Sequence, residues 1–127
     1  ADASGAFRLG VSYRNRGQYA QAVTEFQKAL ADQKRSARAA LMLGLCYRDQ
    51  NHIKEAIEAF KEGVHMPGIS DPDLGELHYQ LGRSYEQLGD IGEAIHFYQL
   101  ALKPAGRFKD ADGRISALQA KSTRSLR

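Results

Sequence analysis

The pattern of hydrophobic and polar positions predicts a chain made of helices. Apolar residues recur three and four positions apart along most of the sequence, which is the spacing of one face of an α-helix. Short polar turns with glycine or asparagine, residues that end helices in a left-handed conformation, separate these stretches. The predicted helices cover residues 4–16, 19–32, 37–50, 53–66, 72–88, 91–103 and 108–121.

One segment occurs three times along the chain. The sequence Leu-Gly-x-x-Tyr begins at Leu9, Leu43 and Leu81, so its tyrosines stand 34 and then 38 residues apart. An alanine follows each tyrosine after nine residues, and an aromatic residue follows that alanine after four. These pairs are Ala22 and Phe26, Ala56 and Phe60, and Ala94 and Tyr98. Each repeat therefore predicts two antiparallel helices joined by a tight turn, and stacked pairs bury a continuous core.

The glycine of this segment predicts a close approach between helices. Glycine costs a helix about 1 kcal/mol relative to alanine, so it needs a packing reason. In the first repeat we expect Gly10 to meet the small residues Ala22 and Ala29 of the second helix.

The repeat is similar to that of the tetratricopeptide family, L-G-x2-Y followed by A-x3-F, over about residues 3–108. The resemblance implies an all-α, right-handed superhelical α-solenoid of three stacked antiparallel helix pairs. The repeats would cover about 3–36, 37–70 and 75–108 within a single domain, 1–127. The family's tryptophan position holds Ala6, Ala40 and His78 here, so lighter packing is expected there.

The segment after the second repeat and the last helix each have a predicted role. Four extra residues lie within 66–73, where Asp71 is expected to cap a helix that has Pro72 at its first position. A tolerated insertion is favoured there over a partner contact. The last helix, 108–121, has an apolar stripe and fits a solenoid cap, although its basic face also suits a membrane surface or an acidic partner. The stripe is Phe108, Ala111, Ile115 and Leu118.

Composition and charge narrow the class of protein. The chain has 127 residues, 43% hydrophobic and 26% charged, with a formal net charge of +3. These values are typical of a globular domain and argue against a disordered tail. Both ends are basic and the middle is acidic, unlike the continuous basic face of a nucleic-acid-binding protein. No apolar window predicts a membrane span and no signal peptide is visible, although a processed N-terminus would look the same. The compartment stays open, with the cytoplasm favoured.

Residues that would carry catalysis or bind a metal lack the required spacing. The four histidines fall at no metal-ligand spacing, and the single cysteine, Cys46, is predicted to be a buried filler at the position of Ser12 and Ser84. No glycine-rich phosphate loop and no G-x-S-x-G motif occurs in the sequence. We therefore expect no enzymatic activity, no metal and no cofactor.

Twelve residues are predicted to form a partner-binding surface, here called the groove face. The family resemblance places the first helix of each repeat on the concave side, and the Leu-Gly-Tyr stripe faces the partner helix, so the opposite stripe faces the groove. Large apolar residues ringed by arginines occupy that stripe, as in partner-binding surfaces. Two alternatives stay open: flanking repeats or a neighbouring molecule cover the strip, or its residues belong to the core. The groove face comprises Phe7, Arg8, Val11, Arg14, Arg38, Leu41, Met42, Leu45, Arg48, Tyr79, Gln80 and Arg83.

The chemistry of the groove face favours a protein partner. Arginine binds carboxylates through two hydrogen bonds, so an amphipathic segment with a few acidic residues is expected. Some family members hold the C-terminal carboxylate of heat-shock chaperones with a Lys/Asn clamp. The aligned positions here hold no Lys, Asn or Arg, which disfavours that function, and the small bacterial secretion chaperones resemble this arrangement more closely. These positions are Phe7, Val11, Met42, Glu76 and Gln80.

A second class of function stays open beside the peptide-binding module. The chain would then be a structural fragment of a longer solenoid, or a scaffold that stacks on copies of itself through its end or concave surfaces.

Overall fold

The structure, a computed structural model, describes residues 3–125 and confirms the predicted helices. The last helix begins at residue 111 rather than 108 and continues to residue 125 rather than 121. Within the described range no helix is long and apolar enough to cross a membrane. The helices are α1 Ala3–Asn15, α2 Tyr19–Ala29, α3 Ser36–Asp49, α4 Ile53–Val64, α5 Asp71–Leu88, α6 Ile91–Leu102 and α7 Ala111–Ser125.

The chain divides into two compact units, Ala1–Ile69 with α1 to α4 and Ser70–Arg127 with α5 to α7. In the first unit each helix packs on the next one along the chain. Its core contains a cluster of five buried residues, contributed by α2, α3 and α4. They are Ala22, Phe26, Leu43, Cys46 and Ala59.

An aromatic ring explains the helical glycines, which corrects the expected contact with small residues. A β-carbon on Gly10 would lie 2.6 to 2.9 Å from three ring atoms of Phe26. Ala22 and Ala29 are fully buried, but they are not among the nearest atoms to that position. The repeat therefore needs glycine because the aromatic side chain of its second helix lies against the backbone of its first.

The turns within the helix pairs share one geometry. Gly17, Asn51 and Gly89 have φ values of +76°, +63° and +81°. The residue after each of them donates its backbone N–H to the carbonyl of the repeat's tyrosine, at 2.8 to 3.0 Å. This bond and the positive φ are the features of a helix C-terminal motif, so the predicted turns are confirmed.

In the second unit α6 packs on α5 and α7 packs on α6. Three residues of the predicted cap stripe, Ala111, Ile115 and Leu118, are buried in one core with Tyr79 and Tyr98. The fourth, Phe108, is half-buried just before α7 begins. The apolar side of the last helix is therefore covered by its own unit, as the stripe predicted.

The cap of α5 lies one residue earlier than expected. Ser70, not Asp71, is the N-cap, and its hydroxyl accepts a hydrogen bond from the Asp73 backbone N–H at 3.3 Å. Asp71 is the first helical residue and Pro72 the second. A carboxylate in the first turn still interacts favourably with the helix dipole.

Candidate partner-binding site

On α1 the predicted groove face is shared between core and surface. Phe7, Val11 and Arg14 follow one another at helical spacing and are all half-buried. The Phe7 ring meets Phe26 edge to face, with 5.7 Å between the ring centroids, and Val11 packs against the same core cluster. These three side chains are therefore less exposed than the sequence predicted, because α1 packs on α3 as well as on α2.

On α3 most of the predicted groove-face residues are half-buried, as they are on α1. Leu41, Leu45 and Arg48 are half-buried, and Met42 packs against the cluster that contains Cys46. Arg38 is exposed on α3, as Arg8 is on α1. The first unit thus carries nine of the twelve predicted residues on two neighbouring helices.

Polar contacts hold α1 in place relative to the chain around α3. The Arg14 guanidinium forms an ion pair with Asp49, with 2.9 Å between Nε and Oδ2. Arg35, just before α3, donates a hydrogen bond from Nη1 to the Ser4 hydroxyl at 2.6 Å. Both ends of α1 are therefore joined to the α3 segment, which fixes the spacing of the apolar side chains between them.

In the second unit, the structure overturns the predicted exposure of Tyr79 and Gln80. Only 5% of Tyr79 and 7% of Gln80 is exposed, and Arg83 is half-buried. The Tyr79 ring packs against Tyr98 and Phe108, at 5.7 and 5.8 Å between centroids. Tyr79 is therefore a core residue of this unit, which was one of the two alternatives left open by the sequence.

Charged residues that lie far apart in the sequence form a network over Tyr79. Its hydroxyl donates a hydrogen bond to Asp110, which pairs with Arg114 at 3.0 Å, and Arg114 also pairs with Glu86 at 3.3 Å. Tyr98 donates to the same Glu86 oxygen at 2.7 Å. The network joins α5, α6 and α7, so it orders the second unit. The i, i+4 spacing of Asp110 and Arg114 was its only signal in the sequence.

Beside this network, Glu76 accepts hydrogen bonds from two side chains. Its Oε2 accepts from Gln80 Nε2 at 3.0 Å, and its Oε1 pairs with the Lys109 ammonium at 2.6 Å. The same ammonium lies 5.0 Å from the centroid of the Tyr79 ring. The Glu76 carboxylate, at one of the aligned clamp positions, is thus neutralised within its own unit.

Two titratable groups outside this network, Cys46 and His78, have pKa values that burial shifts. Burial raises the pKa of the Cys46 thiol to about 11, and Cys46 is fully buried, as predicted. Burial, followed by the nearby His96, lowers the pKa of His78. Among the residues that the structure describes, no group of three His, Cys, Asp or Glu side chains is arranged to hold a metal ion.

Comparison with known sequences identifies the repeats. Models of the tetratricopeptide repeat match residues 7–74 and 75–103. The transcriptional activator NprA of Geobacillus stearothermophilus is 31% identical over 86 residues, 66% of this chain and 21% of that protein. Tetratricopeptide repeat protein 14 of Mus musculus is 26% identical over 122 residues, 94% of this chain and 16% of that protein. The chain thus spans about a fifth or less of the length of these relatives.

Solved structures share the fold at low sequence identity. The type III secretion translocator chaperone SycD of Yersinia enterocolitica has a TM-score of 0.78 at 20% identity, covering 94% of this chain and 85% of that one. The first repeat domain of Spaghetti (RPAP3), bound to an HSP90 peptide, has a TM-score of 0.83 at 14% identity, covering 96% and 94%. With the repeat models matched over most of its length, the chain is a member of the tetratricopeptide repeat family.

Proposed function

We propose that this protein is a non-catalytic interaction module that binds a segment of a partner protein on the groove face of α1 and α3. The observation that carries the proposal is the composition of that face in the first unit. Half-buried Val11, Leu41 and Leu45 lie on two joined helices, with the exposed Arg8 and Arg38 on the same two helices. An apolar strip with a charged rim matches the composition of protein–protein interfaces.

The same face suggests the chemistry of the partner. Aliphatic side chains that are only partly buried lose further exposed surface when a segment with apolar residues covers them. Arginine at the rim binds carboxylates with paired hydrogen bonds, so acidic residues should flank those apolar ones. The expected ligand is a short amphipathic segment with a few acidic residues.

Two structural relatives support a peptide ligand in general terms. One neighbour is a domain of RPAP3 bound to an HSP90 peptide, and another is SycD in complex with a peptide of the translocator YopD. Since these structures share only 14% and 20% identity with this chain, the ligand is proposed from the surface of this chain itself.

A peptide-library selection tests the proposal. Wild-type protein is panned against random twelve-residue peptides beside the double variant Arg8→Glu/Arg38→Glu, which changes exposed charges, and a matched control, Lys34→Glu, outside the groove face. We expect apolar, acidic peptides to be enriched by the wild type and the control and lost with the double variant. Enrichment that is equal for all three proteins, or none for the wild type, would overturn the proposal.

A further inference from the structure

A cleft inside the first unit differs from the groove face in both position and charge. It has a volume of about 220 Å³ and is lined by residues of α2, α3 and α4. Since α1 precedes these helices and α5 follows them, the cleft does not lie at an end of the sequence. None of the described residues that line it belongs to the groove face. We call it the acidic cleft and define it by Leu30, Leu43, Tyr47, Glu55, Glu58 and Glu62.

The wall of the cleft that α4 supplies is acidic. Glu55, Glu58 and Glu62 share one face of the helix, and all three are exposed. Among the described residues that line the cleft, none is cationic. Glu58 and Glu62 form no ion pair within residues 3–125. Glu55 Oε2 lies 3.8 Å from His52 Nδ1, a contact that is an ion pair only when the imidazole is protonated. The negative charge of the cleft is therefore not balanced by its own lining.

The floor of the cleft is apolar and aromatic. Leu43 and Ala59 are buried there, and Leu30 and Tyr47 are half-buried. Gln27 donates a hydrogen bond from Nε2 to the Tyr47 hydroxyl at 3.4 Å, which orients the ring. A side chain with an aliphatic stem and a cationic head matches an apolar floor below an acidic rim.

The corresponding surface of the first repeat carries its own cations. The guanidinium carbon of Arg16 lies 5.6 Å from the centroid of the Tyr13 ring. Glu25 is the one carboxylate of α1 and α2, and it pairs with the Lys28 ammonium at 3.0 Å. The aromatic ring and the carboxylate of this surface are therefore each in contact with a cation of the same repeat.

The second repeat lacks both of these cations. At the positions 34 residues further along the chain, Gln50 and Glu62 replace the arginine and the lysine, while Tyr47 keeps the aromatic ring. Glu55 and Glu58 add carboxylates where the first repeat has glutamine and threonine. The acidic cleft thus keeps the ring that meets a guanidinium in the first repeat, and its charge favours a cationic occupant from outside.

We propose that the acidic cleft docks a basic segment of a partner protein, with an arginine side chain entering the cleft. The guanidinium donates hydrogen bonds to Glu58 and Glu62, and the aliphatic stem covers Leu30 and the Tyr47 ring. Arginine fits this site better than lysine, because a planar guanidinium both stacks on an aromatic ring and binds carboxylates through paired hydrogen bonds. This ligand is opposite in charge to the one proposed for the groove face, so the two proposals are tested independently.

The probe is a fluorescein-labelled twelve-residue peptide in which arginine and serine alternate, and a matched peptide has lysine at every arginine position. Binding to the full chain is measured by fluorescence anisotropy at about 0.15 M salt, where charges more than about 8 Å apart are largely screened. Glu58→Gln/Glu62→Gln removes two carboxylates of the cleft. The matched control, Glu93→Gln/Asp112→Asn, removes two exposed carboxylates of the second unit. Tyr47→Leu removes the ring, and circular dichroism confirms that each variant keeps its helicity.

The proposal predicts saturable binding of the arginine peptide and weaker binding of the lysine peptide. Glu58→Gln/Glu62→Gln should weaken binding of the arginine peptide about tenfold, and the control variant should change it less than about twofold. Tyr47→Leu should remove the preference for arginine over lysine, an effect that a merely acidic surface would not produce.

Three results would overturn the proposal. The first is the absence of saturable binding of the arginine peptide to the wild type. The second is equal affinity for the two peptides, or an equal loss of affinity in the cleft variant and the control variant, since either would indicate general attraction between opposite charges. The third is self-association of the wild type that disappears in Glu58→Gln/Glu62→Gln, which would assign the cleft to a second copy of this chain.

Discussion

The ring of Phe26 occupies the space in which a β-carbon on Gly10 would lie, with Cε1 2.6 Å from that position. The same relationship joins Gly44 to Phe60 and Gly82 to Tyr98. Phe26, Phe60 and Tyr98 are fully buried, so their rings have no room to withdraw. The glycine of the first helix and the aromatic residue of the second therefore pack in the same way in all three repeats.

Replacing a glycine of this kind should destabilise the protein. Gly44→Ala forces the new methyl group against the Phe60 ring, and overpacking of a core costs about 1–3 kcal/mol. The matched control is Gly113→Ala in α7, where the new β-carbon would meet no neighbouring atom within 4 Å. The higher helix propensity of alanine should stabilise this variant by about 0.5–1 kcal/mol. Urea unfolding of both variants measures the difference. A Gly44→Ala protein as stable as the control would show that the ring contact does not require glycine.

The left-handed turns predict that two substitutions at equivalent positions differ in their effect on the free energy of unfolding. Gly89 has φ +81°, so Gly89→Ala should cost about 1 kcal/mol through strain at that residue. Asn51 adopts φ +63°, and Asn51→Gly should leave the unfolding free energy within about 0.5 kcal/mol of the wild type because glycine accepts this conformation. Thermal unfolding compares the two. Equal destabilisation by both substitutions would indicate that side-chain contacts, not backbone conformation, determine these turns.

Most of the fold could be predicted from the sequence because its signals are local. The spacing of Leu, Gly and Tyr and the turns at Gly17, Asn51 and Gly89 depend on residues close together in the chain. The role of Gly10 was misjudged because periodicity identifies a small residue but not the atom that fills the space it leaves. The ring of Phe26 lies sixteen positions away on the next helix, which no local pattern specifies.

The candidate site was less predictable for a related reason. Tyr79 stands at the same repeat position as Leu41, and the sequence placed both on one exposed strip. In the structure Phe108 and the start of α7 close over Tyr79, so its burial depends on the segment after the third repeat. Asp110 and Arg114 complete that closure through long-range hydrogen bonds to Tyr79 and Glu86, which helical spacing alone does not reveal.

The Asp110 carboxylate should make the stability of the second unit depend on pH. A hydrogen bond from Tyr79 holds the Asp110 pKa below its ordinary value of 3.8. Because the folded value is below the unfolded one, its contribution is present above about pH 4 and is lost as the pH falls through the folded value. Unfolding free energies between pH 6 and pH 2.5 should decline less steeply in Asp110→Asn than in the wild type. If the unfolding free energies of both proteins declined equally with pH, the Asp110 carboxylate would not contribute to the pH dependence of stability.

The Cys46 thiol should resist alkylation in the folded protein. Its pKa of about 11 leaves little thiolate at pH 8, and the side chain is fully buried. Iodoacetamide should therefore react at least about a hundredfold more slowly with the native protein than with the urea-unfolded protein. The control is an exposed cysteine, Glu58→Cys in a Cys46→Ser background, which should react at a similar rate in both states. Rapid native labelling of Cys46 would contradict its assigned burial.

Site-specific photo-crosslinking shows whether the groove face contacts the bound peptide. A photo-reactive phenylalanine analogue replaces Leu41 on the groove face in one protein and the exposed Glu58 of α4 in another. Each protein is irradiated with an amphipathic acidic peptide obtained from the library selection. If the groove face binds the peptide, we expect a crosslink from position 41 that excess unlabelled peptide removes, and none from position 58. A crosslink from position 58 alone, or equal crosslinks from both positions, would show that the peptide binds elsewhere on the protein.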